Sequence, residues 1–491
     1  MTARAAKIFV VVFWMAMVGW FFQRRPAVVS EAAEDLPSLS KIAQKEGDLW
    51  YGTYFIDKKT GDKFKIGYSK TSTVKTERGY IISGESRLKI DTQGTRAEVR
   101  IISKLLTDLD NRLLSIDFHM LSDSVKFEMF GKVKGDMLDM DIRTAGGSQH
   151  KTLKLPPDTV MPETMFVEAI REGLEVGETI KAPYLDAASF SIRETEMTLA
   201  ETKQLEDGST IYRMTGLAMG MPIEAWIDEN GQTLNSSAGM IFTKLETEEQ
   251  ALTTGWADTD KVPTDLVEQV SVKPDKIIDS PRAAKMLKLR LTGVDLAQFA
   301  VGDHRQTLDG DVVTIRKEDP KTSVPLKSID RSKFVKELES TPTIQVNDRA
   351  IRSKAFEILD EETDALKAAR EIHDWVYESI EKKPLVSIPS ARDVLDIKRG
   401  DCNEHSILFT ALARAVGLPT RIEVGLVYFK KGFYYHAWNA VYVGEWVTID
   451  PTFGQFPADA AHLKLLSGDL DAQVPILATI GQLGIQVLEV K

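Results

Sequence analysis

The sequence predicts an α+β protein in three parts: an N-terminal membrane helix, a β-rich antiparallel domain, and a C-terminal domain whose cysteine, at a helix N-terminus, packs on an antiparallel sheet. Three observations predict it. An uncharged apolar run fills residues 8–22. Short segments of alternating hydrophobicity recur through residues 47–250. Near residue 400, helical spacing gives way to a Gly-Asp-Cys turn, one more helix and a pair of strands.

The run Ile8 to Phe22 stands behind Arg4 and Lys7 and ahead of Arg24 and Arg25. As a helix it spans roughly 22 Å, and the flanking cations can snorkel to the headgroups, so it can anchor the chain in a membrane. The rival is a cleaved signal peptide. Its small-residue site, Ser30-Glu31-Ala32, lies far past the run and behind two arginines, which favours the anchor. Residues 1–28 are therefore read as a single-pass anchor or signal segment and 29–46 as a linker. The remainder is expected outside the cytoplasm, on the periplasmic or cell-surface side.

Residues 47–250 read as one β-rich domain. Leu49 to Ile56, Phe64 to Ser69, Tyr80 to Ile90, Ala97 to Leu106 and Ser124 to Val133 alternate between turns, and one helix, Pro162 to Gly173, interrupts them. Further strands are expected at Thr210 to Thr215, Ile223 to Asp228 and Gly239 to Lys244. Asp136, Asp139 and Asp141 read as a solvated strand face, since a calcium loop needs a glycine turn among its ligands and Gly135 precedes all three. Residues 251–345, punctuated by prolines, form a connecting subdomain with strands at Met286 to Leu291 and Val312 to Arg316.

The final domain, residues 346–491, opens on a helix whose apolar face carries Ala365, Ala369, Ile372, Val376 and Ile380. After a loop from Lys382 to Ser390 come a short helix at Ala391 to Ile397, a helix from Cys402 to Val416, and strands Thr420 to Phe429, Phe433 to Val443 and one starting at Trp446. Cys402 is the only cysteine of the 491 residues, so no intramolecular disulfide is possible. A first-turn position favours the thiolate, Asp401 is a good N-cap, and Gly400 permits close backbone approach. Exposed N–H groups of that turn can also bind an oxyanion. His436, mid-strand, is the candidate general base. With a three-residue loop, Val443 to Glu445, Asp450 stands opposite Trp438 and diagonal to His436 on one face, within reach of one hydrogen bond. A two-residue loop puts them on opposite faces. Tyr435 and Trp438, flanking His436, are the candidate substrate-binding side chains.

The segments Gly400-Asp401-Cys402-Asn403-Glu404-His405, "LARAVGLPTRIEVGLVY" and "YHAWNAVYVGEWVTIDPTFG" together resemble the core of bacterial transglutaminase-like domains. The resemblance implies a papain-related fold and a Cys-His-Asp triad at Cys402, His436 and Asp450, in a family that includes acyltransferases, proteases and amidases. Glu404 and His405 are expected to satisfy polar groups beside the site.

A net charge of −11 with no basic stripe argues against nucleic acid as a partner. His119, His150, His304, His373 and His462 show no pairing with acidic residues at ligand spacing, so no metal and no cofactor are expected. The resulting expectation is an extracytoplasmic enzyme that forms an acyl-enzyme from a protein or peptide carboxamide, resolved by water or an amine. The alternative is a non-catalytic cell-envelope binding or assembly module that keeps the fold.

Overall fold

The structure is a computed structural model. It describes residues 47–491 apart from short stretches, the longest being 160–168, 254–270, 384–389 and 469–475. The described residues form two compact units that divide near residue 265.

The first unit is a single fourteen-stranded antiparallel sheet. Strands β1 (Asp48–Ile56) and β14 (Ile241–Glu246) pair at its middle, with Trp50 opposite Glu246. Seven strands extend beyond β1 as far as β8 (Gly147–Lys154), and five beyond β14 as far as β9 (Thr179–Asp186). Period-two alternation gives the sheet a dry face: Ile101, Met120 and Phe127 are cross-strand neighbours on three successive strands, all buried. Leu138, Met140 and Ile142 are buried likewise. Asp139 and Asp141, between them, reach Lys134, Thr152 and His150 at the surface, which is the solvated face expected of them. A short helix, α1 (Glu248–Thr253), follows β14.

The α+β expectation is corrected here. Among the described residues the structure is mostly β, 50% strand against 19% helix. The strands that escaped notice include Ser191–Gln204, whose many Glu, Thr and Lys residues carry little apolar signal because only one face is dry. Among the described residues no helix is long and apolar enough to cross a membrane. Residues 8–22 lie outside those described, as do most of Pro162–Gly173 and the interior of the loop Lys382 to Ser390.

In the second unit β15 (Met286–Thr292), β16 (Gln306–Asp309) and β17 (Val312–Arg316) share a four-stranded sheet with the C-terminal strand, in the order β16-β17-β15-β24, where β24 is Gly484–Val490. Helix α2 (Arg349–Leu359) is capped by Asp348, and α3 (Ala365–Ser379) by Asp364. A two-residue parallel pair, β18 (Glu381–Lys382) and β19 (Arg399–Gly400), brackets α4 (Ala391–Ile397). Helix α5 (Cys402–Ala415) is buried almost all round, as a helix must be when α2, α3 and α4 surround it and β20 (Thr420–Phe429) and β21 (Gly432–Tyr442) lie beneath. With β22 (Trp446–Ile449) and β23 (His462–Ser467) the last sheet runs β22-β21-β20-β23.

Candidate active site

Cys402 opens α5. The Asp401 side chain accepts the N–H groups of Asn403 and Glu404, while the Glu404 carboxyl accepts the Asp401 N–H at 2.8 Å, a reciprocal cap. Gly400 is required there: a Cβ would sit 2.1 Å from the Cβ of Glu404. His405 N–H also goes to the Asp401 carbonyl. The cap thus occupies most of the first-turn donors that the sequence left open for an oxyanion, and Cys402's own N–H is the one Asp401 does not take. Burial pushes the Glu404 carboxyl well above its ordinary range, with the Asp401 carboxylate adding to it. Burial also lowers His405 to about 4, so it is a neutral imidazole donating Nδ1–H to the Asp401 carbonyl at 2.6 Å.

Asn439 on β21 ties that strand to the helix, donating from Nδ2 to the Ser406 carbonyl at 3.1 Å and to Thr410 Oγ1 at 2.9 Å. The thiol of Cys402, buried at 3% exposure, lies against the same strand, near the N–H of Ala437. The expected depression of its pKa is not found. Burial raises the thiol well above its ordinary value, the carboxylates of Asp401 and Asp450 reinforce this, and the Ala437 N–H opposes it only in part.

The hairpin between β21 and β22 pairs Tyr442 with Trp446 and Asn439 with Ile449. This is the register of a three-residue loop, so Asp450 falls on the face of His436. His436 Nε2 donates to Asp450 Oδ2 at 2.8 Å, and both side chains are fully buried. Nδ1 is then the ring nitrogen that can serve the thiol. The imidazole stacks on Phe453 at 4.8 Å. Trp438, fully buried, packs its ring 5.2 Å from that of His462. Tyr435, one residue from His436 and so on the opposite face, is buried with its hydroxyl 2.9 Å from Thr479 Oγ1, and burial raises its pKa. Trp438 is part of the packing around the pair and Tyr435 of the packing on the other face; both are buried.

Asp450 is the most heavily bonded carboxylate of the site. Oδ1 accepts the N–H groups of Thr452 and Phe453, Oδ2 accepts His436 and also His462 Nε2 at 3.1 Å, and its carbonyl accepts His373 Nε2 at 3.1 Å. Burial works to raise this carboxyl, yet the two imidazoles outweigh it and hold it well below the usual carboxylate range. The histidines set aside from sequence spacing all meet carboxylates: His119 meets Asp117 and Glu128, His150 Asp141, His304 Glu318, His373 Asp374, and His462 both Asp450 and Asp459. The pairings of His119 with Glu128, His150 with Asp141, His304 with Glu318 and His462 with Asp450 are made by strand register and loop closure, which spacing does not encode, whereas His373–Asp374, His119–Asp117 and His462–Asp459 are local in sequence. Donor atoms of His436, Asp450 and His462 lie within 4.8 Å of one another. The facing atoms are joined by hydrogen bonds, so the trio is a proton network.

Residues 352–451 match the family model of the transglutaminase-like superfamily. An uncharacterized protein of Haemophilus influenzae is 34% identical over 108 residues, 21% of this chain and 29% of that protein, so the match spans less than a third of the relative's length. Among solved structures, a candidate cysteine protease from Cytophaga hutchinsonii aligns at 14% identity over 42% of this chain and 86% of its own, with a TM-score of 0.27. A β-barrel-like protein of Brucella abortus aligns at 13% over 40% of this chain and 94% of its own, TM-score 0.33. These superpositions are too loose to bear on activity.

Proposed function

Starting from the transglutaminase-like domain that this chain carries at residues 352–451, we propose a cysteine-dependent acyl-enzyme mechanism on carboxamide or amide bonds of a protein or peptide. A cysteine-protease-like function is the general class; the acyl-transfer chemistry and an extracytoplasmic site of action are the finer reading. The single observation that supports it is the buried His436–Asp450 pair, with His436 on the strand against which Cys402 is packed and Asp450 just after the next strand.

Because the resting thiol is held protonated, the pair works by general-base attack rather than from a standing thiolate. His436 takes the proton as the Cys402 sulfur forms its bond to the carbonyl carbon, and the oxyanion falls to the Cys402 N–H. The imidazolium, steadied by Asp450, then protonates the departing amine as the C–N bond breaks, leaving a thioester. Water, or an amine, adds to the thioester with His436 again as base, and the thiol is regenerated. The Ile8–Phe22 run supports an extracytoplasmic location.

Iodoacetamide labelling of Cys402, followed by mass spectrometry, tests the pair. The expected result is a labelling rate at neutral pH that drops on the order of a hundredfold in His436→Ala. A rate indifferent to that substitution favours the non-catalytic binding module, for which the depth of the thiol is the supporting observation.

A further inference from the structure

His462 is not part of the triad, yet it is built into it. It is fully buried at the start of β23, and both of its ring nitrogens face carboxylate oxygens: Nδ1 lies 2.8 Å from Asp459 Oδ1 and Nε2 3.1 Å from Asp450 Oδ2. A neutral imidazole has one N–H, so one of these contacts would set a lone pair against a lone pair; both are satisfied only when the ring carries two protons. His436 meets Asp450 through Nε2, which leaves Nδ1 as the nitrogen assigned to the thiol in the mechanism above. The segment that presents His462 is itself fixed: the buried guanidinium of Arg305 donates to the carbonyls of Ala458, Asp459 and His462, the last at 2.7 Å.

We propose that His462 is a resident imidazolium, clamped between Asp450 and Asp459, and that it sets how much of the Asp450 charge reaches His436. It is a positioning residue for the reaction described above and rests on that reading. With one Asp450 oxygen shared by two imidazoles, the cation at His462 neutralises part of the carboxylate. His436 therefore stays a neutral base at rest, and with no imidazolium to stabilise a thiolate the Cys402 thiol keeps its proton. The charged and titratable groups around His462 are Asp450, Asp459, His436 with its ring 5.9 Å away, and Arg305 at its carbonyl, with Glu318 3.7 Å beyond Arg305. Trp438 and Phe453 fill the remaining sides. Burial acts to lower the pKa of His462, and Asp459 and Asp450 together outweigh it, which agrees with the geometry.

Two readouts on the full chain test this. Nitrogen-15 spectra of histidine-labelled protein, with the resonance assigned by its loss in His462→Gln, are expected to show a doubly protonated ring at pH 8. A neutral His462 at that pH overturns the proposal. In His462→Gln, which keeps a donor to Asp450 but no charge, the pH midpoint of Cys402 alkylation is expected to move down; if it falls by about one pH unit, the rate at pH 7 rises about tenfold. Asp459→Asn, which weakens the clamp without touching Asp450, is expected to move it the same way and serves if the first variant misfolds. An unchanged midpoint in the folded variants also overturns the proposal. Failure of the catalytic reading shows instead as wild-type labelling that ignores His436→Ala, and the spectroscopic result is independent of that.

Discussion

At the scale of single residues, the buried ions make stability depend on pH in a direction that can be worked out. Asp450 and Asp459 are held below their unfolded values by imidazoles that outweigh their burial. Their contribution is present above about pH 4 and is lost as pH falls through their folded values. His462 is raised, so its contribution is complete below about 6.5 and is lost as pH rises through its folded value. Glu404, held protonated, loses stability from about 4.3 upward. Thermal melts of the wild type are therefore expected to show an acid limb and an alkaline limb, with the acid limb shallower in Asp450→Asn. That same variant is expected to lower turnover by about 10² to 10⁴. Turnover unchanged in Asp450→Asn would remove Asp450 from the mechanism. The His436–Asp450 contact was legible because hairpin register follows from loop length. His462 was not legible: its partners are fixed by the turn after β22 and by Arg305, 157 residues away in sequence.

Secondary-structure elements were legible where their signal was strong. Ala391–Ile397, Thr420–Phe429 and Val312–Arg316 begin and end where the sequence puts them, because caps, glycines and apolar runs bound them. Strands with a wet face and few β-branched residues were missed for want of that contrast. The fit of α5 on β21 depends on Asn439, whose bonds to Ser406 and Thr410 are buried. Asn439→Ala is expected to cost about 1–3 kcal/mol in denaturant unfolding, since it removes two buried hydrogen bonds between the strand and the helix. Gly400→Ala is expected to be as harmful, because its methyl group would overlap Glu404 and force the cap apart. A melting temperature unaltered in Gly400→Ala would show that the cap can relax around it.

At the scale of the whole molecule, the unit that holds the candidate site has the strand β24 along one edge of a four-stranded sheet. Leu287, Leu289 and Leu291 of β15 are buried against β24, where Ile485 and Val487 are 3% and 4% exposed. Removing residues 484–491 takes away two buried aliphatic side chains worth about 1.5–3 kcal/mol each and bares the edge of β15. The expected outcome is a loss on the order of 3–6 kcal/mol and a tendency to self-associate, read by calorimetry and light scattering. A truncated chain that melts like the full one would show that β24 is dispensable.

The fourteen-stranded sheet has a topology with a use of its own. Since Trp50 stands opposite Glu246, the chain enters and leaves that sheet on adjoining strands at its centre, not at its rims. Its two ends are then only about 5 Å apart, one interstrand spacing. Such a unit is portable: it can be spliced into a surface loop of an unrelated host, or cut out and the flanking chain rejoined, with a gap that a residue or two of linker will bridge.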